Sequence, residues 1–394
     1  MTNQAATGIQ TVLQAAMTLV ATHGVRGLSL RPLAEQLDTT VSALSHRFGL
    51  KDALLASLID AAREEDDLFF DTWLARIRAI EVRDDALLAD FADAILGEMA
   101  DRERLRAQFY CELVQGSASR PEIATLFASW RDQRLAFWRA ATESSDRPEL
   151  GDILHAFSTD ESAYGLAIGD LAAYRWLRRL NLHRLCRGLA ATADRSDLQQ
   201  FTVFHAALGD LLGPPEPLEP PAMSEWRVKA ARHIAELIIT EGADAVTHRA
   251  AAARAGVANS TLAYHFPRQE DLVKAGLNDI VNRLGVFMDT SSPAPDVQSY
   301  ELTSVEIARA TFAVALAATR MPDLKAIAAD TRRRRGQNLM VRFNRQALGA
   351  SPLDLLSAQA ISMTGIGKLM LDADLDPAPD AAAFRLAERM AAGA

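Results

Sequence analysis

The chain has 394 residues, 49% of them hydrophobic and 24% charged, and a formal net charge of −9. That acidity excludes a protein that coats nucleic acid through bulk phosphate neutralisation. Two cysteines, Cys111 and Cys186, are too few for a disulfide framework and fit a reducing compartment, and no run of about 20 apolar residues offers a membrane span.

The length allows about two to four domains. Strict alternation of β-branched residues is nearly absent, so the expected class is all-α. The N-terminus shows neither the basic nor the apolar region of a secretory signal, and the expected location is cytoplasmic. In chain order, periodic apolar positions predict helices over about 7–22, 29–36, 40–46, 51–80, 84–99, 103–117, 121–142, 160–190 and 196–212. Gly213-Pro214-Pro215-Glu216-Pro217-Leu218-Glu219-Pro220-Pro221 then forbids helix and reads as a semi-rigid spacer. Beyond it, helices are predicted over about 223–240, 247–254, 258–264, 269–290, 301–320, 323–347, 352–373 and 379–392, with a softer break at Ser291-Ser292-Pro293-Ala294-Pro295.

The two halves share a register. Leu19, Gly24, Arg31, Ala34, Ser42, Leu44, Phe48 and Leu54 return, 218 positions later and without a gap, as Leu237, Gly242, Arg249, Ala252, Ser260, Leu262, Phe266 and Leu272. In copy one a helix closes at His23-Gly24, Ser29 is placed to cap the next, and Pro32 falls in its first turn. A turn at Leu37-Asp38-Thr39 leads to a short helix capped by Thr40. Val41, Leu44 and Phe48 form its inward stripe, and Ser42, Ala43, Ser45, His46 and Arg47 its polar face. Copy two repeats the plan with Gly242, Thr247, the turn Ala255-Gly256-Val257, and outward Asn259, Ser260, Thr261, Tyr264 and His265. Small residues let such a helix approach base edges while polar ends reach bases and phosphates, and Asn259 suits a bidentate contact with adenine. The surrounding charge is only weakly basic, +1 over residues 22–52 and +2 over 228–268.

Copy two, with Ala253-Arg254-Ala255-Gly256-Val257-Ala258-Asn259-Ser260-Thr261-Leu262-Ala263-Tyr264-His265-Phe266, resembles the DNA-binding domain of the TetR family of transcriptional repressors. Copy one resembles it through Leu33-Ala34-Glu35-Gln36-Leu37 and Ser45-His46-Arg47-Phe48-Gly49-Leu50-Lys51-Asp52-Ala53-Leu54. It departs at Leu37-Asp38, where the family has Ala-Gly, a change expected to tighten the turn and alter docking. Copy two departs at Ala258, a cap position, and offers Gln269 beside Arg268 where copy one has Lys51, the match to the family's phosphate-binding lysine.

The resemblance implies two halves, each a three-helix DNA-binding head on a helical effector and dimerisation body, arranged as an intramolecular pseudo-dimer. The expected domains are 1–50 and 223–268 for the heads, 51–212 and 269–394 for the bodies, and 213–222 for the linker. The expected DNA contacts are Ser29, Arg31, Thr40, Ser42, Ala43, His46, Arg47, Lys51, Thr247, Arg249, Asn259, Ser260, Thr261, Tyr264 and His265. The helices near 160–190 and 352–373 carry small-residue stretches, Tyr164-Gly165-Leu166-Ala167-Ile168-Gly169 and Thr364-Gly365-Ile366-Gly367. With those near 196–212 and 379–392 they are expected to form a four-helix seam.

The implied partners are a double-stranded DNA operator with two unequal half-sites and a small hydrophobic or amphipathic effector, with no membrane, metal or cofactor. Phe109, Trp130, Trp138, Phe157 and Tyr164 are candidates to line the effector cavity. His183 and Cys186, one turn apart, lack the further ligands of a metal site and read as structural. Arg332-Arg333-Arg334-Arg335 and Glu64-Glu65-Asp66-Asp67 read as solvated faces. A homodimer with four heads, an all-α enzyme and a protein-binding scaffold are the rival readings; no nucleophile–base pair or paired carboxylates support the enzyme.

Overall fold

A computed structural model describes residues 8–80, 84–117, 119–189, 193–210, 225–288, 303–346 and 352–372. The linker at 213–222, the break at 291–295 and the helix expected at 379–392 lie outside them. The described residues contain helices and no strand. In the first half these are α1 (Ile9–Gly27), α2 (Leu30–Gln36), α3 (Val41–Phe48), α4 (Lys51–Arg78), α5 (Asp85–Asp101), α6 (Arg104–Ser117), α7 (Pro121–Ala141), α8 (Leu150–Ile168), α9 (Ala172–Arg187) and α10 (Arg195–Asp210). The second half supplies α11 (Glu225–Glu241), α12 (His248–Ala255), α13 (Asn259–His265), α14 (Gln269–Met288), α15 (Ser304–Ala318), α16 (Lys325–Arg334), α17 (Gln337–Gln346) and α18 (Leu355–Leu371), with single 3-10 turns at Ala243–Ala245 and Pro322–Leu324. No described helix is long and apolar enough to cross a membrane.

Two expected long helices are broken. The segment near 160–190 is α8, starting at Leu150, followed after Gly169–Leu171 by α9. Every residue of α8 except Asp152 is buried, so it has no polar stripe from which periodicity could reveal its ends. The segment near 323–347 breaks at Gly336, whose φ of 79° favours glycine. A Cβ there would also meet the Ala358 carbonyl of α18 at 2.5 Å.

The halves join where α8 and α9 pack against α18, while α15 and α16 close over α8 and α10 lies against α9 and α16. Gly367 admits the closest approach, because a Cβ on it would run into the Ala156 carbonyl of α8. Gly165, expected at this seam, instead faces Ala100 and Tyr174 within the first half. Asn181 donates to Gln359 at 2.9 Å and Arg184 to Ser357 at 2.7 Å across the junction.

Each charged run buries some of its members: Arg332 and Arg335 in one, and Asp66 in the other, where Glu64 and Asp67 are exposed as expected. Arg332 and Glu161 are fully buried and pair across the seam at 3.0 Å. Arg335 pairs with Asp160 at 3.3 Å and donates to Tyr164 and Thr311. Only Arg333 and Arg334 turn partly outward, towards Asp330. Asp66, also buried, accepts from Arg106, Arg134 and the indole of Trp130. Arg332, Arg335 and Asp66 depart from the expected solvated faces because tertiary partners supply the opposite charge that a buried ion requires.

Burial pushes the Asp160 carboxyl up to about 6. It holds the His155 imidazole down at about 4, with Arg134 adding to the effect, and the ring's Nε2 has no partner among the described residues. Since the folded imidazole ionises below its unfolded value near 6.5, it must stay neutral in the native state. Stability is therefore lost as pH falls from about 6.5 towards 4, by roughly 3 kcal/mol. Asp160 acts in the opposite sense, so the comparison needed is with His155→Gln. The difference in unfolding free energy between that variant and wild type is expected to shift by roughly 3 kcal/mol in the variant's favour between pH 7.5 and 4 in urea titrations.

Candidate nucleic-acid interface

Each head closes on a small apolar core. In the first, Val12, Leu13, Met17 and Val20 of α1 meet Leu33, Leu44 and Leu54; in the second, Ile234, Leu237 and Ile238 of α11 meet Ala252, Leu262, Phe266 and Leu272. The helix-to-helix turn uses one backbone conformation twice. Asp38 has φ 48° and Gly256, its equivalent 218 positions on, has φ 66°. Aspartate tolerates the left-handed region that glycine enters without a steric penalty, so the departure at Leu37-Asp38 leaves the turn's form unchanged.

The caps differ. The Thr40 hydroxyl accepts from the Ala43 amide at 3.1 Å, whereas its equivalent Ala258 caps nothing and Asn259, inside α13, does not replace it. Thr247 caps α12 through the Ala250 amide, but Ser29, expected to do the same for α2, makes no side-chain cap bond. Ala258→Thr is expected to stabilise the second head by about 1 kcal/mol, and Thr40→Ala to cost the first about as much. Thermal unfolding of the two variants checks both signs.

On α3, Ser42, Ala43, His46 and Arg47 are exposed, and Arg47 lies 5.2 Å from the Phe48 ring centroid. Val41, expected in the inward stripe, is 42% exposed because the helix begins there and its first turn is left uncovered. On α13, Asn259, Ser260 and Thr261 are exposed and Tyr264 is 81% exposed. His265 is half-buried, its ring 4.5 Å from that of Trp226, and its carbonyl accepts from Arg227 at 2.7 Å. Its place is therefore set by α11. Arg31 pairs with Glu35 on the surface of α2, and Arg249 is exposed on α12.

Lys51 donates to the Arg26 carbonyl at 3.4 Å, and its equivalent Gln269 donates to that of Val246 at 2.7 Å. Both thus brace the connection between the first two helices of their head. Burial lowers the Lys51 pKa, helped by Arg120.

The heads touch at residues that sequence reasoning missed. The backbone of α1 leaves the helical region at Gly24, φ 72°, and a Cβ there would meet that of Asp244 at 2.5 Å. The Arg26 amide donates to Asp244 at 2.8 Å, and its guanidinium pairs with Glu241 at 2.8 Å. Arg26 and Asp244 are themselves repeat equivalents. Their contact puts this point where the two copies meet, and their opposite charges suit unlike copies rather than like ones. That reversal of sign at matched positions was the available signal. A cleft of about 720 Å³ opens beside the junction, bounded by His23, Arg26, Asp244, Thr247, Gln269 and Arg320.

The five aromatic residues expected around an effector cavity are all buried. Phe109 and Trp130 stack edge-to-face at 6.0 Å, and Trp138, Phe157 and Tyr164 are at most 4% exposed. A groove of about 350 Å³ lies in the first body instead, bounded by Leu68, Phe69, Trp73, Arg76, Glu98 and Arg106. His183 pairs with Asp90 at 2.8 Å, and Cys186 beside it is buried.

The family model described as bacterial regulatory proteins, tetR family, matches residues 12–58 and again residues 232–276. No curated protein matches the chain.

Proposed function

We propose that the chain, a tandem TetR-family DNA-binding transcriptional regulator with two family heads on one polypeptide, acts as a single-chain, effector-released repressor of an operator with two unequal half-sites. The observation that carries this reading is that α3 and α13 keep one register and share Ser42 and Ser260, while the other outward residues differ: Val41, Ala43, His46 and Arg47 against Asn259, Thr261, Tyr264 and His265. In this reading the two helices enter successive major grooves, ~34–36 Å apart. Thr40, Thr247, Ser29, Arg31, Arg249 and Lys51 supply backbone contacts, and the base edges fall to the residues named above.

A small amphipathic effector fits the groove between α4 and α5–α6, where Phe69 and Trp73 offer apolar faces and Arg76, Glu65, Glu98 and Glu103 a mixed polar rim. Trp130 lies one hydrogen bond behind it, through Asp66, which also accepts from Arg106. Gln108, two residues along α6 from Arg106, donates to the Ala21 carbonyl of α1. A ligand that moves α6 would therefore move the first head, and a coupling of ~1–3 kcal/mol changes occupancy appreciably.

Selection of bound sequences from a random DNA pool tests the proposal. Two related but unequal half-sites, filled by one chain of 42.8 kDa in light scattering on the complex, are expected. One symmetric palindrome filled by two chains would overturn it.

A further inference from the structure

The orientation of the first head is tied to the body of the other half. Arg320 follows α15 in the second half, yet its Nε donates to the Ala21 carbonyl at 2.8 Å and its Nη2 to that of Val20 at 3.0 Å. These carbonyls belong to the last full turn of α1 before the break at Gly24, where a helix runs short of backbone donors and its dipole favours a cation. Glu112 of α6 pairs with the same guanidinium, and Gln108 bridges Ala21 to Thr319 beside it. Arg320 is only 18% exposed and Glu112 5%, so water competes weakly for these bonds. No corresponding side-chain bond reaches the carbonyls of Ile238 and Ile239 in the second head among the bonds described.

We propose that Arg320 is a positioning residue for DNA binding by the first head, so that the second half's body sets how α3 meets its half-site. The inference rests on the reading of α3 as a groove reader, but the clamp itself can be observed without DNA. Three further contacts point the same way, since Asp244 and Glu241 of the second half hold the amide and guanidinium of Arg26, and Asp244 packs on Gly24. Head one is thus held from the second half on both sides of its helix break.

The test uses the full chain carrying Arg320→Gln and, separately, Glu112→Gln, which keeps the arginine but removes the carboxylate that aims it. Operators with either half-site scrambled are compared with the intact one, and amide hydrogen exchange is followed at residues 22–27 and 240–245. Both variants are expected to lose about tenfold in affinity on DNA whose remaining intact half is that of head one. They should bind as wild type does on DNA keeping only the half of head two, and exchange faster at 22–27 alone. A merely structural role for Arg320 in its own body would weaken head two first. Equal losses at both half-sites, a loss confined to head two, or unchanged exchange at 22–27 would each overturn the proposal. If Arg320→Gln does not fold, Glu112→Gln decides by the same outcomes. If wild type binds neither half-site, the reading of α3 fails, and the exchange data alone decide whether the clamp exists.

Discussion

Glu161→Leu is expected to destabilise the folded chain by about 3–5 kcal/mol, because it strips the carboxylate from Arg332 at a site closed to solvent. Both side chains are at most 1% exposed. The double variant Glu161→Leu with Arg332→Met should recover most or all of that loss, since a well-packed apolar pair of similar volume removes the desolvation cost of two ions. Urea unfolding of wild type, both single variants and the double variant gives the coupling directly. A near-zero effect for Glu161→Leu would mean that Asp160 and Arg335 rearrange to compensate. The same ions bear on which halves can pair. The acids come from α8 and the arginines from the end of α16 and the residue after it. Two first halves brought together would bury carboxylates without cations, and two second halves the reverse.

Asn259→Ala is expected to weaken operator binding by about 1–3 kcal/mol, and to relax the preference at one base pair in the half-site of head two only. Asn259 stands exposed at the first residue of α13, the end from which a reading helix contacts base edges. Its equivalent in the first head is Val41, exposed and apolar, which cannot make the paired hydrogen bonds by which asparagine reads adenine. The two half-sites should therefore differ at this position. Competition binding against a panel of single-base operator variants checks both claims. A uniform loss across all sequences would make Asn259 a backbone contact instead.

Much of each head was legible because a duplicated sequence states its own register. The helix break at Gly24 and Gly242, the turn at Gly256 and the missing cap at Ala258 all follow from local backbone chemistry, whereas Asp38 keeps the same left-handed turn where a tighter one was expected. The outward sets on α3 and α13 follow from helical spacing, and the exceptions are instructive. Val41 lost its cover at a helix start, and His265 gained a neighbour from Trp226, an element 38 or so residues earlier in the chain. The second of these causes lies outside the window that periodicity samples.

In the bodies the sequence was a poorer guide. It identified helices of roughly the right extent but joined α8 to α9 and α16 to α17, since helices buried on every side carry no stripe and Gly336 yields to the passage of α18. What the sequence by itself determined, then, is the all-α class, the duplication and most of the outward faces of α3 and α13, all products of short-range sterics and hydrogen bonding. Only the tertiary structure decided which charges face each other: Arg332 with Glu161, Arg26 with Asp244 and Glu241, Arg320 with Glu112 and the end of α1. Hydrophobic pattern records where apolar surface is buried, whereas an ion can be buried wherever a distant segment brings its opposite, and that pairing leaves no local trace in the chain.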